Sequence, residues 1–249
     1  MAEPLPPQNE WQAVVLLPTY NERDNLPQLL REILVAAPVD VWVLDDNSPD
    51  GTGELAETLR SEHGTRLRVT HRPRKEGLGR AYLAGFRQAL AAGYERIIQM
   101  DADFSHPPHV LPQMLHLSQH YDVVLGSRWV PGGGTENWPW RRRLISKGGS
   151  TYARWLLGLQ VRDMTGGFKC FRRAVLQTLP LDTIRSSGYA FQVEVTFAAA
   201  QYGFSIVETP ILFVERRDGA SKMSRRIVWE AVWRVPQLRW RALRHKLMG

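Results

Sequence analysis

VVLLPTYNERDNLPQLLREILVAAPVDVWVLDDNSPDG, residues 14–51, carries the reading that decides the fold. Val14–Leu17 is a short apolar run stopped by Pro18, the pattern of a buried strand. Over residues 26–36, Leu26, Leu29, Leu30, Ile33 and Leu34 recur at helical spacing, with Asn25 placed as N-cap and Pro27 in the first turn. Val41–Leu44 is a second apolar run, ended by the turn cluster DDNSPDG. Two uninterrupted apolar strands joined by an amphipathic helix predict parallel pairing with both faces covered.

The rhythm continues down the chain. Residues 53–62 read as a helix, Leu67–Thr70 as a strand, 78–92 as a helix and Ile97–Met100 as a strand; a helix over 109–119 and a strand at Asp122–Leu125 follow. The expectation is an α/β fold: a mostly parallel central sheet with helices on both faces. The second half is less regular. Residues 129–150 read as a loop and then a helix, Gly166–Phe171 and Ile206–Val214 as strands, and the stretch near 190–201 as a helix. No repeat and no clean linker is visible. The organisation expected is a loose Pro-rich tail over 1–12, one domain over 13–225, and an amphipathic, basic helical extension over 226–249.

Composition narrows the class. With 249 residues and 43% hydrophobic content, disorder is excluded as the main state. The single Cys170 cannot form an internal disulfide, which points to a reducing compartment; between Lys169 and Phe171 it reads as a buried small side chain rather than a nucleophile. No segment reaches the ~18 apolar residues of a membrane span, and MAEPLPPQNE is no secretory signal. Lys and Arg number 32 against 25 Asp and Glu, a net charge of +7 concentrated at 141–147, 216–226 and 234–246. Such a surface suits nucleic acid, anionic membrane or phosphorylated substrates.

Ligands of parallel α/β sheets bind beyond the carboxyl ends of the strands. Three strands here end in PTYNE (18–22), Asp45-Asp46 and Asp101-Ala102-Asp103. Their convergence places up to five carboxylates on one rim, which repel one another unless a cation intervenes. Hard divalent ions bind at such rims together with substrate phosphates, so the pattern predicts a Mg²⁺- or Mn²⁺-nucleotide site. Gly51-Thr52-Gly53-Glu54-Leu55-Ala56 fits a dinucleotide fingerprint only formally, because no acid lies near residue 73 to take the ribose. No P-loop exists. His106 and His109, flanking Pro107 and Pro108, read as polar loop residues.

The runs LLPTYNERDNLP (16–27), LDDNSPDGT (44–52), EGLGRAYLAGF (76–86), MDADFSHPP (100–108), GSRWVPGG (126–133) and DMTGGFKCFRR (163–173), with the stretch 188–222, resemble the dolichyl- or polyprenyl-phosphate mannosyltransferases. These belong to glycosyltransferase family 2 and have a GT-A fold; the chain looks like the subtype without transmembrane helices. The resemblance implies mannose transfer from GDP-mannose to a polyprenyl monophosphate, with inversion, giving a β-linked product. It places the donor contacts on Pro18, Tyr20, Glu22, Leu44, Asp46, Asp101, Ala102 and Asp103. Arg216 and Lys222 match a basic segment that closes over the diphosphate. Asp103, Asp101 and Ser105 fall on the metal-binding positions, for Mg²⁺ or Mn²⁺; Ser105 stands where relatives carry Gln and is a shorter ligand. Arg128 matches the arginine between the two phosphates, and it and Asp103 are the catalytic assignments. Arg142 and Ser146 fall, with Arg128, on the acceptor-phosphate contacts.

The chemistry stands beside the resemblance. Cleaving a glycosyl diphosphate develops charge that a divalent ion, Arg and Lys can stabilise. A phosphate monoester, with a second pKa of about 6, is already an anionic nucleophile at neutral pH. It needs cationic docking, which Arg128, Arg142, Arg143 and Lys147 can supply, rather than a general base. Trp129, Trp138 and Trp140 suit a membrane–water interface. So do Ile227, Trp229, Val232, Trp233 and Val235 in the extension, which can equally dock on a partner's transmembrane helices or pack on the protein's own core. The expected location is the cytoplasmic face of a membrane, peripherally bound, with an integral membrane subunit as a possible tether. Two alternatives remain at this point: another donor such as UDP-glucose with the same acceptor, and a non-catalytic nucleic-acid-binding protein. The second leaves the acidic rim unexplained and shows no nucleic-acid module.

Overall fold

The computed structural model describes residues 9–184, 186, 188–214, 233–240 and 244. Every residue of the run before Pro18 is fully buried, because β1 (Ala13–Thr19) runs through the middle of a sheet covered on both faces. It pairs in parallel with β2 (Asp40–Asp45) on one side and β4 (Arg96–Gln99) on the other. Completed by β3 (Leu67–His71), β5 (Val123–Ser127), β7 (Lys169–Arg172) and β8 (Ile206–Pro210), the sheet has the order β3-β2-β1-β4-β7-β5-β8. All strands are parallel except β7, which is antiparallel to both β4 and β5. The mostly parallel α/β expectation therefore holds.

Side chains of β1 alternate between two cores. Val15 and Leu17 face α1 (Leu26–Ala36), α2 (Thr52–His63) and α4 (Leu111–Leu117). Val14 and Leu16 face α3 (Leu78–Ala91), α6 (Arg173–Thr178) and α7 (Gly188–Gln201). A third cluster packs α5 (Trp140–Leu157) on α7, and Val235 and Leu238 of the helical residues 233–240 join it. That helix thus packs on the body of the protein through one face, while Trp233 and Trp240 stay exposed on it. Of the extension, only residues 233–240 and 244 lie among the described residues; of the tail expected over 1–12, residues 1–8 lie outside them, whereas Asn9 is hydrogen-bonded to Ala13 and Trp11 packs on the core.

Four details differ from the sequence reading. Asn25 makes no side-chain cap; it is helical and donates from Nδ2 to Glu22 Oε2 at 2.9 Å, while the N–H of Leu26 donates to the Glu22 carbonyl. Residues 206–214 are two strands, not one. Pro210 has no N–H to continue a ladder, and after it β9 (Leu212–Val214) leaves the sheet to pair with β6 (Gly134–Glu136), a strand the reading placed in a loop. The short α6 was also unread, being too brief for periodicity to show. Cys170, in contrast, is where it was expected: fully buried in β7, its thiol pushed up to about 12 by burial.

Gly85 explains how α3 comes close enough to the sheet. A Cβ there would lie 2.6 Å from Leu44 Cδ1 and 2.9 Å from Leu16 Cδ1. Gly85→Val is expected to overpack this contact and cost about 1–3 kcal/mol, read as a lower urea midpoint with unchanged slope. Gly148→Ala is the control. It lies on the exposed side of α5 with nothing within 4 Å of its Cβ, and it should stabilise by up to ~1 kcal/mol.

Candidate active site

The carboxyl ends of β1, β2 and β4 open into one cleft of about 340 Å³. Ten of the residues named from sequence line it: Pro18, Tyr20, Glu22, Asp46, Asp101, Ala102, Asp103, Ser105, Arg128 and Arg142. Two others behave differently. Leu44 is fully buried in the core under α3, so its side chain offers a nucleotide no surface. Ser146 is buried one turn along α5 from Arg142 and does not line the cleft. Arg216 and Lys222 lie outside the described residues. Of the five carboxylates expected on the rim, Asp45 turns away. It accepts from Thr19 Oγ1 at 2.9 Å and from the amide and hydroxyl of Ser48 at 3.0 and 2.5 Å, tying the DDNSPDG turn to β1. Asp46 stays in the cleft, ion-paired with Arg72; burial raises its carboxyl above the ordinary value despite that partner.

The Asp101–His106 turn is tightly wired. Phe104 takes φ +61°, a left-handed conformation that bends the chain back on itself. Ser105 then donates to Asp103 Oδ1 from both N (3.1 Å) and Oγ (2.5 Å), so its hydroxyl proton is spent on Asp103. Asp101 Oδ1 accepts from Tyr82 Oη at 3.0 Å. Burial and the two nearby aspartates push the Tyr82 phenol well above its ordinary value, which keeps it a donor. The backbone N–H of Asp101 donates to His106 Nδ1 at 2.9 Å. His106 is not the polar loop residue expected. It is buried, it lines the cleft, and it stacks on Phe168 at 5.1 Å with Phe213 edge-on at 5.6 Å. Burial lowers its pKa, partly offset by Asp101 and Asp103.

The opposite wall is cationic. Arg128, at the end of β5, is buried and bound in a fork by Asp163: Nε to Oδ2 and Nη2 to Oδ1, both 2.7 Å, with its own backbone N–H at 3.0 Å and Thr165 Oγ1 at 2.9 Å from Nη2. Asp163 is held in turn because Glu208 of β8 accepts from the N–H groups of Arg162 and Asp163. Arg128 holds the Asp163 carboxyl below the ordinary range, so both stay charged. Trp138 supports the next cation: Arg142 lies over its ring at 4.0 Å, and Arg128 at 5.5 Å. Lys75, unread in the sequence, lies 3.6 Å over the Tyr20 ring and also lines the cleft.

The floor was unread as well. Lys169 in β7 is fully buried, and its Nζ donates to the carbonyl of Gln192 at 3.0 Å and to Gln192 Oε1 at 2.7 Å. Burial lowers its pKa to about 7 from 10.5, Asp163 opposing the shift. An unfolded lysine keeps its proton up to 10.5, so between about 7 and 10.5 the unfolded chain binds more protons, and stability should rise with pH there. Lys169→Met removes this contribution. The wild type minus variant difference in unfolding free energy, followed by urea titration, is expected to grow in favour of the wild type from pH 7 to 10.

Asp101, Asp103 and Ser105 present hard oxygen donors from one turn, the set that Mg²⁺ or Mn²⁺ prefers. Among the described residues no group of three or more His, Cys, Asp or Glu side chains could hold a metal ion by itself. The donor set therefore fits an ion whose coordination is completed by substrate phosphate and water, the usual Mg²⁺ arrangement.

Comparison with known proteins points to one family. The family model Glycosyl transferase family 2 matches residues 14–179. The chain is 47% identical over 226 residues to the polyprenol monophosphomannose synthase of Mycolicibacterium smegmatis, covering 90% of this chain and 85% of that one. It is 48% identical over 239 residues to the undecaprenyl-phosphate mannosyltransferase of Micrococcus luteus, covering 94% and 98%. Among solved structures, glucosyl-3-phosphoglycerate synthase of Mycobacterium tuberculosis, in complex with Mn²⁺, UDP and glucosyl-3-phosphoglycerate, superposes with a TM-score of 0.64. It covers 90% of this chain and 79% of its own at 19% identity, a likeness of fold alone. The acidic rim facing a cationic wall, the matched family model and the two mannosyltransferase relatives together make this chain a glycosyltransferase of family 2.

Proposed function

We propose that the protein transfers mannose from GDP-mannose to a polyprenyl monophosphate, in a metal-dependent single displacement that inverts the anomeric centre. The carrying observation is the position of α5. Its first turn puts Arg142 into the cleft, facing Asp101 and Asp103, while the same helix turns Trp140, Leu144, Ile145 and Trp155 outward to solvent. An acceptor with an anionic head and an apolar tail fits both surfaces at once. The names of the two relatives support mannose and a polyprenyl phosphate.

In this reading Asp101 and Asp103 hold Mg²⁺ or Mn²⁺, which when bound neutralises charge developing on the leaving diphosphate. Tyr82 and Ser105 keep the two carboxylates oriented for that task. Pro18, Tyr20, Glu22 and Asp46 line the donor side, and Arg216 and Lys222 belong to the same function by resemblance. Arg128, immobilised by Asp163, meets charge on both phosphates without reorganising as the reaction proceeds. An acceptor phosphate oxygen attacks the anomeric carbon from the face opposite the departing diphosphate; the glycosyl C–O bond breaks, and GDP leaves. No side chain has to remove a proton, because the acceptor is already ionised.

Among the described residues no helix is long and apolar enough to cross a membrane. Peripheral seating through α5 and the exposed Trp233 and Trp240 is part of the proposal, with Arg141, Arg143, Lys147 and Arg154 of α5 facing anionic headgroups.

The test is a donor-by-acceptor panel with purified protein. Radiolabel should move from GDP-mannose, and not from UDP-glucose, into organic-extractable lipid; EDTA should abolish transfer and Mg²⁺ or Mn²⁺ restore it. Asp103→Asn should lower kcat by ~10²-fold or more without loss of Tm. Arg142→Ala should raise KM for the lipid phosphate ~10-fold or more while GDP-mannose affinity stays within about twofold. Trp140→Ser with Trp155→Ser should weaken binding to anionic vesicles and leave folding intact, since both side chains are exposed.

A further inference from the structure

The Lys169–Gln192 pair has a geometry that a structural role alone leaves unexplained. Lys169 Nζ donates to the main-chain carbonyl of Gln192 and, at 2.7 Å, to its side-chain oxygen Oε1. With Oε1 engaged, the NH2 group of the amide points the other way. Gln192 is 2% exposed and lines the cleft, and its Nε2 is buried without a hydrogen-bond partner. A buried amide with two unused protons on a cleft wall is a donor awaiting a ligand.

His106 meets it there. Its Nδ1 accepts the Asp101 N–H, so the ring proton sits on Nε2. Gly167 lies between the two side chains. A Cβ built on it would be 3.5 Å from Gln192 Nε2 and 3.4 and 3.8 Å from His106 Cε1 and Nε2. The missing side chain leaves floor space bordered by two N–H donors. On one flank His106 is bonded to Asp101 of the metal-binding turn; on the other, Thr165 is bonded to Arg128. A group placed there lies between the donor side and the acceptor side.

We propose that Gln192, oriented by Lys169, grips the sugar being transferred, donating from Nε2 to a hydroxyl oxygen of the hexose, with His106 Nε2 as a second donor over Gly167. The proposal rests on the donor reading above and adds the sugar subsite to it. A neutral amide and a neutral imidazole match a neutral hydroxyl, whereas phosphate is served by the cations of the opposite wall. Gln192 and His106 are thus specificity-determining contacts, and Lys169 is a positioning residue.

The experiment compares the wild type with Gln192→Leu on GDP-mannose and on its 2-, 3-, 4- and 6-deoxy analogues, measuring kcat/KM, with GDP affinity measured alongside. Gln192→Leu should lower kcat/KM for GDP-mannose by ~3–10-fold, the worth of one neutral hydrogen bond, and leave GDP affinity within about twofold. With the one analogue lacking the gripped hydroxyl, wild type and variant should become equal. Gly167→Ala fills the same floor space without removing either donor. Its Cβ meets nothing closer than 3.4 Å, so the fold should persist while sugar transfer falls and GDP binding stays. An equal penalty on the parent and all four analogues, or a parallel loss of GDP affinity, overturns the sugar subsite while leaving the donor reading intact. A wild type that transfers nothing from GDP-mannose overturns both.

Discussion

The buried fork between Arg128 and Asp163 is the interaction on which the site depends. Both ions are out of water, so the pair is tolerable only because every oxygen is engaged: two guanidinium bonds, a backbone N–H and Thr165 on the arginine side. Removing one partner of such a pair typically costs ~3–5 kcal/mol. The fork binds the end of β5 to the segment before β7, and Glu208 extends the tie to β8. A cation placed this rigidly opposite the Asp101–Asp103 turn contributes an oriented field rather than a mobile counter-ion.

Around that anchor the cleft divides by charge. Carboxylates come from the ends of parallel strands, where the topology gathers them; cations come from the end of β5 and the start of α5, with Lys75 added beside Tyr20 from the loop between β3 and α3. The aromatic residues between are structural parts of the cationic wall. Trp138 packs edge-on against Phe213, and both rings face Arg128, while Arg142 rests on Trp138. Flat rings let two arginines stand close together because each cation is partly compensated by a ring face.

α5 has a narrow buried stripe at Ser146, Ser150, Ala153 and Leu157, so most of its surface is free. Such a helix is weakly committed to the core and can carry its large exposed side chains toward another surface.

The sequence by itself determined the α/β rhythm, the mostly parallel sheet and the acidic rim, because apolar periodicity and the polar residues at strand ends are local features. The ordered motifs placed ten side chains in the cleft without knowledge of a single contact. Only the tertiary structure decided which of several eligible groups face it. Asp45 and Asp46 are neighbours, yet the last residue of β2 ties a turn and the one after it enters the cleft. His106 looked like a loop histidine until Phe168 and Phe213 closed over it. Lys169 gave no local sign that its ammonium would meet Gln192, 23 residues on, beneath the floor. Those outcomes depend on contacts between segments far apart in the chain, where burial and partner choice are set by packing and leave no periodic trace.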